Sequence, residues 1–344
     1  MPTKITDAYA HFGLPRFGSL DQLLRYMDKH QIEQAVAVLG PRVPDFSIIM
    51  EAASSFPDRV RCVGIPFGET KEQRVEAVKL QLDAGAIGIR LEPREANDMP
   101  EILDLIGKRG RWAYGIGSCL SQQLAKQYLD WLAQYPDARL AAPHFMYADF
   151  SRNDPERAGG SIEQLMRHER FYGILVRNLG MVGSLYPHTA YKAWMEYVIE
   201  LCGSDRLMWG SEYPVLFWRN ENADAAVAMF RELLGVCDDR EWSQIAGANA
   251  SEQFFDGAAP QSTEQVLPEW VEQQFERNRT VPFFPKGLEI PVELYGRILE
   301  GYIQSSYFAE GRSMLEYILK PWIEQMDSGH GEIGGSMGKW NIRH

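Results

Sequence analysis

Short apolar and β-branched runs alternate eight times with longer segments of helical period over the first 256 residues, and no other feature restricts the possible folds so tightly. Strands are expected at 5–10, 34–39, 61–66, 86–91, 112–117, 139–145, 172–178 and 207–211. A helix over 19–28 opens on Ser19-Leu20-Asp21-Gln22, an N-cap pattern. A second over 70–84 has Thr70 as cap, Gln73 at the box position, and Val75, Val78 and Leu82 on one face; Gly85 follows as a stop. Segments 120–134, 161–168, 190–202 and 223–234 complete the helical set. Strands that alternate with helices imply a parallel sheet, and eight such units close into a (β/α)8 barrel more naturally than they form an open sheet. The pattern alone leaves an open doubly wound sheet as the alternative. That fold usually carries a Gly-rich phosphate turn after its first strand, and Ala8-Tyr9-Ala10-His11-Phe12 is not one.

Around residues 257–265 the composition shifts to Gly, Ala, Pro, Ser and Thr, which divides a barrel (1–256) from a C-terminal, mostly helical extension (257–344). Pro282, Pro285 and Pro291 punctuate an aromatic stretch of that extension, 293–304 and 314–326 read as helices, and the Gly-rich end reads as flexible. Tyr295, Tyr302, Tyr307, Phe308, Tyr317 and Trp322 bring too much apolar surface for a linker. The extension is therefore expected to pack on the barrel or on a second subunit, which would make the protein a homo-oligomer. Apolar residues at 45% and charged residues at 24% suit a buried core of this size. A net charge of −12 without clustered Lys and Arg argues against a nucleic-acid partner. Cys62, Cys119, Cys202 and Cys237 show no metal-type spacing and read as free thiols, which suits a reducing cytoplasm. No leader pattern and no run long enough to span a membrane is expected.

In a barrel of this kind the chemistry lies at the C-terminal ends of the strands. The first strand ends in Asp7-Ala8-Tyr9-Ala10-His11, where period two puts Asp7, Tyr9 and His11 on one face. The sixth gives Pro143-His144, and the eighth gives Gly210-Ser211-Glu212-Tyr213-Pro214. A single histidine at a strand end is more often structural, whereas the three positions together are specific. Arg90 ends the fourth strand and Arg177 lies near the end of the seventh; two guanidiniums there could hold a carboxylate in a bidentate way. The plainer alternative for Arg90 is an ion pair with Glu92, and Arg177 has an equally plain surface reading. Tyr213, Phe217 and Trp218 could cover a ring-shaped substrate or merely pack, and Tyr114, at the end of the fifth strand, is a further contact candidate. His188, in the loop after strand seven, could line the mouth but reads more plainly as a surface residue, and His30 and His168 read as helix-end partners.

These residues resemble the amidohydrolase superfamily, in the branch related to aminocarboxymuconate-semialdehyde decarboxylase and 2-pyrone-4,6-dicarboxylate lactonase. The marks are Ile5 to His11, Gly88-Ile89-Arg90-Leu91, Pro143-His144, Asp205 to Pro214, and Ala248-Asn249-Ala250, with the eighth-strand stretch the most specific. The resemblance covers about residues 4–256 and implies the barrel fold. The departures are specific too. Where the family has His-x-His, this chain has Tyr9-Ala10-His11; where many members place a histidine after strand five, it has Tyr114-Gly115-Ile116-Gly117-Ser118; where the family has Asp on strand eight, it has Glu212.

His11, His144 and Glu212 could hold an open three-ligand metal, zinc or manganese, with Tyr9 a poor fourth ligand. Without a metal the same groups suit acid–base work: Glu212 or His144 activates water, and Tyr9 and His11 stabilise an oxyanion. The resemblance then implies a hydrolase acting on a small carboxylated, cyclic lactone or amide, possible without metal. Two other readings stand beside it: a metal-dependent non-oxidative decarboxylase or other lyase, and a barrel without catalysis that serves as a binding or scaffold subunit.

Overall fold

Eight parallel strands lie in sequence order, each hydrogen-bonded to the next: β1 (Ile5–Phe12), β2 (Ile32–Leu39), β3 (Val60–Gly64), β4 (Gly88–Leu91), β5 (Trp112–Gly115), β6 (Arg139–Ala142), β7 (Phe171–Leu175) and β8 (Leu207–Trp209). The computed structural model describes residues 4–13, 17–40, 47–144, 159–176, 192–216, 226–227, 235, 237–263, 265–277, 280–283, 288–291 and 299–300. The first and last strands are brought together by backbone bonds at their ends. The Glu212 N–H donates to the Tyr9 carbonyl at 2.8 Å, and the His11 N–H donates to the Tyr213 carbonyl at 2.6 Å. The result is a nearly closed TIM barrel, so the open-sheet alternative falls.

Helices connect the strands on the outside. They are α1 (Leu20–Lys29), α2 (Ser47–Ser55), α3 (Lys71–Asp83), α4 (Pro93–Asp98), α5 (Pro100–Lys108), α6 (Gln122–Gln134), α7 (Gly160–Arg167) and α8 (Lys192–Cys202). Ser19 and Thr70 cap α1 and α3 through complete capping boxes with Gln22 and Gln73, each box contributing on the order of 1 kcal/mol. Three helices escape the sequence pattern. α2 is short and has no acidic residue in its first turn, and α4 and α5 each begin with a proline, Pro93 and Pro100, at the first helical position. The expected helix at 223–234 lies mostly outside the described residues.

Two apolar layers form. One fills the barrel axis, with Ala8, Val36, Val63, Tyr114, Ile174 and Met208 among its members; the other lies between strands and helices. After β8 come α9 (Asp239–Ser243), a π-turn at Gln244–Ala248 and α10 (Asn249–Phe255). Ala250 and Phe254 of α10 join the axial layer, Phe254 lying 4.7 Å from the Trp112 ring. α10 therefore plugs the end opposite the strand termini. Asn249 fastens it there, its side-chain amide donating to the carbonyls of Ser204 and Leu207 at 2.7 Å each.

The described part of the extension holds a helix, α11 (Glu269–Arg277), and an antiparallel ribbon of β9 (Thr280–Phe283) and β10 (Leu288–Pro291). Neither was expected, because Pro282 and Pro291 obscure the strand signal; both prolines sit on a two-stranded ribbon, where a missing N–H is tolerated. The expected helix at 314–326 lies outside the described residues, and that at 293–304 is described only at 299–300, which are helical. No helix among the described residues is long and apolar enough to cross a membrane.

Candidate active site

β1 does not keep period two throughout. Its register with β2 steps from Asp7↔Ala35 to Ala10↔Ala37, so three steps on β1 match two on β2. This is a bulge, the device by which a strand re-aims side chains near a site. It sends Ala8 and Tyr9 both into the axial layer. The expectation that Asp7, Tyr9 and His11 share one face is therefore corrected: the bulge diverts Asp7 to the seam with β8. There the buried Asp7 carboxylate accepts from the Tyr9 N–H at 3.0 Å, the Ser211 N–H at 2.9 Å and the Ser211 hydroxyl. Burial outweighs these donors and raises the Asp7 carboxyl to about 6.

His11 is nearly enclosed. Its Nδ1 lies 3.0 Å from the Val38 carbonyl, and its ring stacks on Phe17 at 4.5 Å. A carbonyl only accepts, so Nδ1 carries the proton, and a neutral His11 presents Nε2 as its basic nitrogen.

His144 and Glu212 follow β6 and β8, and both adopt left-handed backbone conformations, with φ of 59° and 57°. Among the described non-glycine residues only Gln31 shares that feature. Such a conformation is unfavourable by about 1–2 kcal/mol for an L-residue and clusters at functional sites. It turns the two side chains toward each other: His144 Nε2 is 3.8 Å from Glu212 Oε1, with both residues buried.

Tyr9 packs against both imidazoles. Its ring meets His11 edge-on at 4.9 Å and His144 edge-on at 5.1 Å. Its hydroxyl accepts from Arg90 Nε at 3.1 Å. Burial pushes the phenol up to about 12, with the nearby Arg90 charge opposing the rise. The phenol is therefore protonated at neutral pH. Because Arg90 can only donate to its oxygen, the phenolic hydrogen is directed to another acceptor.

Arg90 is buried and also pairs through Nη2 with Glu92 Oε1 at 2.6 Å, the plainer of its two sequence readings; its contact with Tyr9 was not foreseen. Tyr114 is wholly buried beside Tyr9, 6.3 Å ring to ring, with its hydroxyl 3.4 Å from the Ala8 carbonyl. Tyr213 stacks on Tyr26 of α1 at 4.1 Å, so its ring packs between β8 and a helix. Arg177, His188, Phe217 and Trp218 lie outside the described residues. Reading the sequence alone passed over Phe17 and the Asp7–Ser211 contact. The signal for the latter was present: closing the barrel makes the first and last strands neighbours, so two polar residues at their facing ends should pair.

A family model described as Amidohydrolase matches residues 2–255. Among solved structures, a probable 2-pyrone-4,6-dicarboxylic acid hydrolase of Acinetobacter baumannii with citric acid bound is 17% identical at a TM-score of 0.55, covering 73% of this chain and 99% of its own. The Pseudomonas putida structure named for the same reaction is 19% identical at a TM-score of 0.57, covering 74% and 99%. An amidohydrolase of Burkholderia multivorans with bound zinc is 14% identical at a TM-score of 0.55, covering 73% and 99%. At these identities the likeness is one of fold. No curated protein matches the sequence.

Proposed function

The chain belongs to the amidohydrolase family, and we propose that it hydrolyses a small carboxylated ring substrate, a lactone or cyclic amide, without a metal. The observation that carries this reading is the inward-turned His144–Glu212 pair, 3.8 Å apart, set beside the Tyr9 phenol on which Arg90 rests. Glu212 or His144 takes a proton from water as its oxygen attacks the ring carbonyl. The Tyr9 hydroxyl donates to the oxygen on which charge develops, and Arg90 behind it strengthens that donor. Collapse breaks the bond to the ring oxygen or nitrogen, which leaves with the proton first taken from water. His11, with Nδ1 committed to Val38, accepts from the water at Nε2, or donates there once protonated. Glu92 is partly exposed on Arg90 and marks where a substrate carboxylate would exchange onto the guanidinium. Arg177 and Trp218 remain candidates for the same grip and for a cover.

Three features support the absence of a metal, and the residues present do not fit a divalent ion. Among the described residues no three His, Cys, Asp or Glu side chains gather into a group that could hold one. The Tyr9 ring packs edge-on against both imidazoles that would share it. The Tyr9 oxygen faces a guanidinium and stays protonated, so it serves as a donor rather than as an anionic ligand. The site thus departs from the metal set that the family resemblance implies.

The test is ring opening by the full-length protein, followed by absorbance and proton release. The panel is 2-pyrone-4,6-dicarboxylate, simple carboxylated lactones and cyclic amides. The expected result is turnover of a carboxylated ring, reduced roughly 100-fold or more in Glu212→Gln. Turnover that survives both Glu212→Gln and His144→Ala unchanged contradicts the reading, and no turnover of any ring on the panel favours the scaffold alternative. Carbon dioxide release in place of ring opening favours the lyase.

A further inference from the structure

The family match ends at residue 255, yet the chain continues and touches the barrel at the end where the site lies. α11 runs beside the loop that leaves β3: Trp270 packs on Phe67 at 5.6 Å, and Gln274 and Arg277 bond to Glu69. Farther on, Leu299 sits on the loop between β1 and α1, the loop that follows His11, and Glu300 on α1 itself. Leu299 is 1% exposed, and Glu300 forms an ion pair with Arg25 of α1.

That loop is closed on itself, with the Gly13 N–H bonded to the Gly18 carbonyl and the Phe17 N–H to the Gly13 carbonyl, each at 2.9 Å. It is also filled from both sides. Leu299 Cδ2 lies 2.4 Å from where a Cβ on Gly18 would stand, and Gly18 has a φ of +88°. On the other side the Phe17 ring occupies the space over Gly40 at the end of β2, 1.6 Å from the position of a Cβ there. Between these contacts Phe17 is 2% exposed and lies flat on the His11 imidazole, 14° from parallel. A continuous row of contacts thus runs from Leu299 through Gly18 and Phe17 to His11.

We propose that Leu299 is a positioning residue for His11: the C-terminal extension clamps the β1–α1 loop and, through Phe17, holds the imidazole in the orientation that bonds Nδ1 to Val38. The extension then tunes the site from outside the family barrel. The inference rests on His11 being a site residue, as read above, and not on the identity of the substrate. Loss of the clamp frees Phe17 to move with its loop, and His11 then loses the packing that holds its ring against the Val38 carbonyl.

The experiment is nitrogen-15 imidazole NMR on the full chain, with His11 assigned by the signal missing from His11→Gln. Leu299→Ala and Glu300→Gln are compared with the conservative Leu299→Met. Leu299→Ala is expected to speed solvent exchange of the His11 Nδ1–H by about tenfold or more. Glu300→Gln should do so to a smaller degree, and Leu299→Met should restore slow exchange, with the His144 signals unmoved throughout. A lowered melting point in Leu299→Ala with His11 exchange unchanged overturns the proposal, since Leu299 is then packing alone. Equal acceleration at every histidine overturns it too, as general loosening. Turnover is not read, so a protein that hydrolyses no ring on the panel leaves this test intact.

Discussion

Tyr9 and Glu212 are the two residues at which the chain departs from the pattern of its family and keeps a polar group. The structure gives each a defined neighbour. The phenol rests on Arg90 and the carboxylate faces His144. Tyr9→Phe is expected to lower kcat on a ring substrate by about 100-fold while KM moves little, because the donor acts on charge that exists only in the transition state; steady-state kinetics separates the two. The backbone at Glu212 is left-handed, so Glu212→Gly should be more stable than Glu212→Ala by about 1 kcal/mol, although both remove the carboxylate. Urea midpoints decide this, and equal midpoints would contradict it. That His11, His144, Tyr9 and Glu212 come together was legible because polar side chains at or just past the ends of apolar barrel strands converge on one end of the barrel. Asp7 was misread because a bulge cannot be seen in a period-two pattern. Arg90 was half legible: its proximity to Glu92 is two residues of sequence, whereas its contact with Tyr9 spans β1 to β4.

Between elements, the seam of β1 and β8 depends on the Asp7 carboxyl as much as on peptide bonds. Its value of about 6 in the fold exceeds the ordinary 3.8. A raised carboxyl contributes stability that is fully present below the unfolded value and lost as pH rises through the folded one. On this group's account the protein should lose on the order of 3 kcal/mol between pH 4 and pH 7. Asp7→Asn mimics the protonated form, so its stability relative to the native chain should rise over that range; urea midpoints at several pH values check it, and a constant difference would contradict it. At the other end of the barrel, Asn249→Ala leaves the Ser204 and Leu207 carbonyls without their donor, and should cost about 1–3 kcal/mol in thermal melting. Strands and capped helices were readable from sequence where a capping box or an apolar periodicity marked them. α2, α4 and α5 were not, because such short helices carry little apolar periodicity, and their stability comes from packing on the barrel.

For the molecule as a whole, the eight-fold alternation, together with a first strand that runs into no Gly-rich phosphate turn, pointed to the barrel, and the extension was not readable in the same way. Its ribbon is interrupted by proline, and its contacts with Gly18, Glu69 and Phe67 lie some 200 residues or more away in sequence. The site uses the end of the barrel where loops from distant parts of the chain converge, which explains why residues at positions 9, 11, 90, 144 and 212 meet. The most direct test of the central claim is ring opening of 2-pyrone-4,6-dicarboxylate, or of the best substrate on the panel, by protein stripped with a chelator and verified metal-free by elemental analysis. A metal-independent His144–Glu212–Tyr9 site predicts turnover equal to that of the untreated protein and no gain when zinc or manganese is added. Activity lost on stripping and restored by either metal would contradict it.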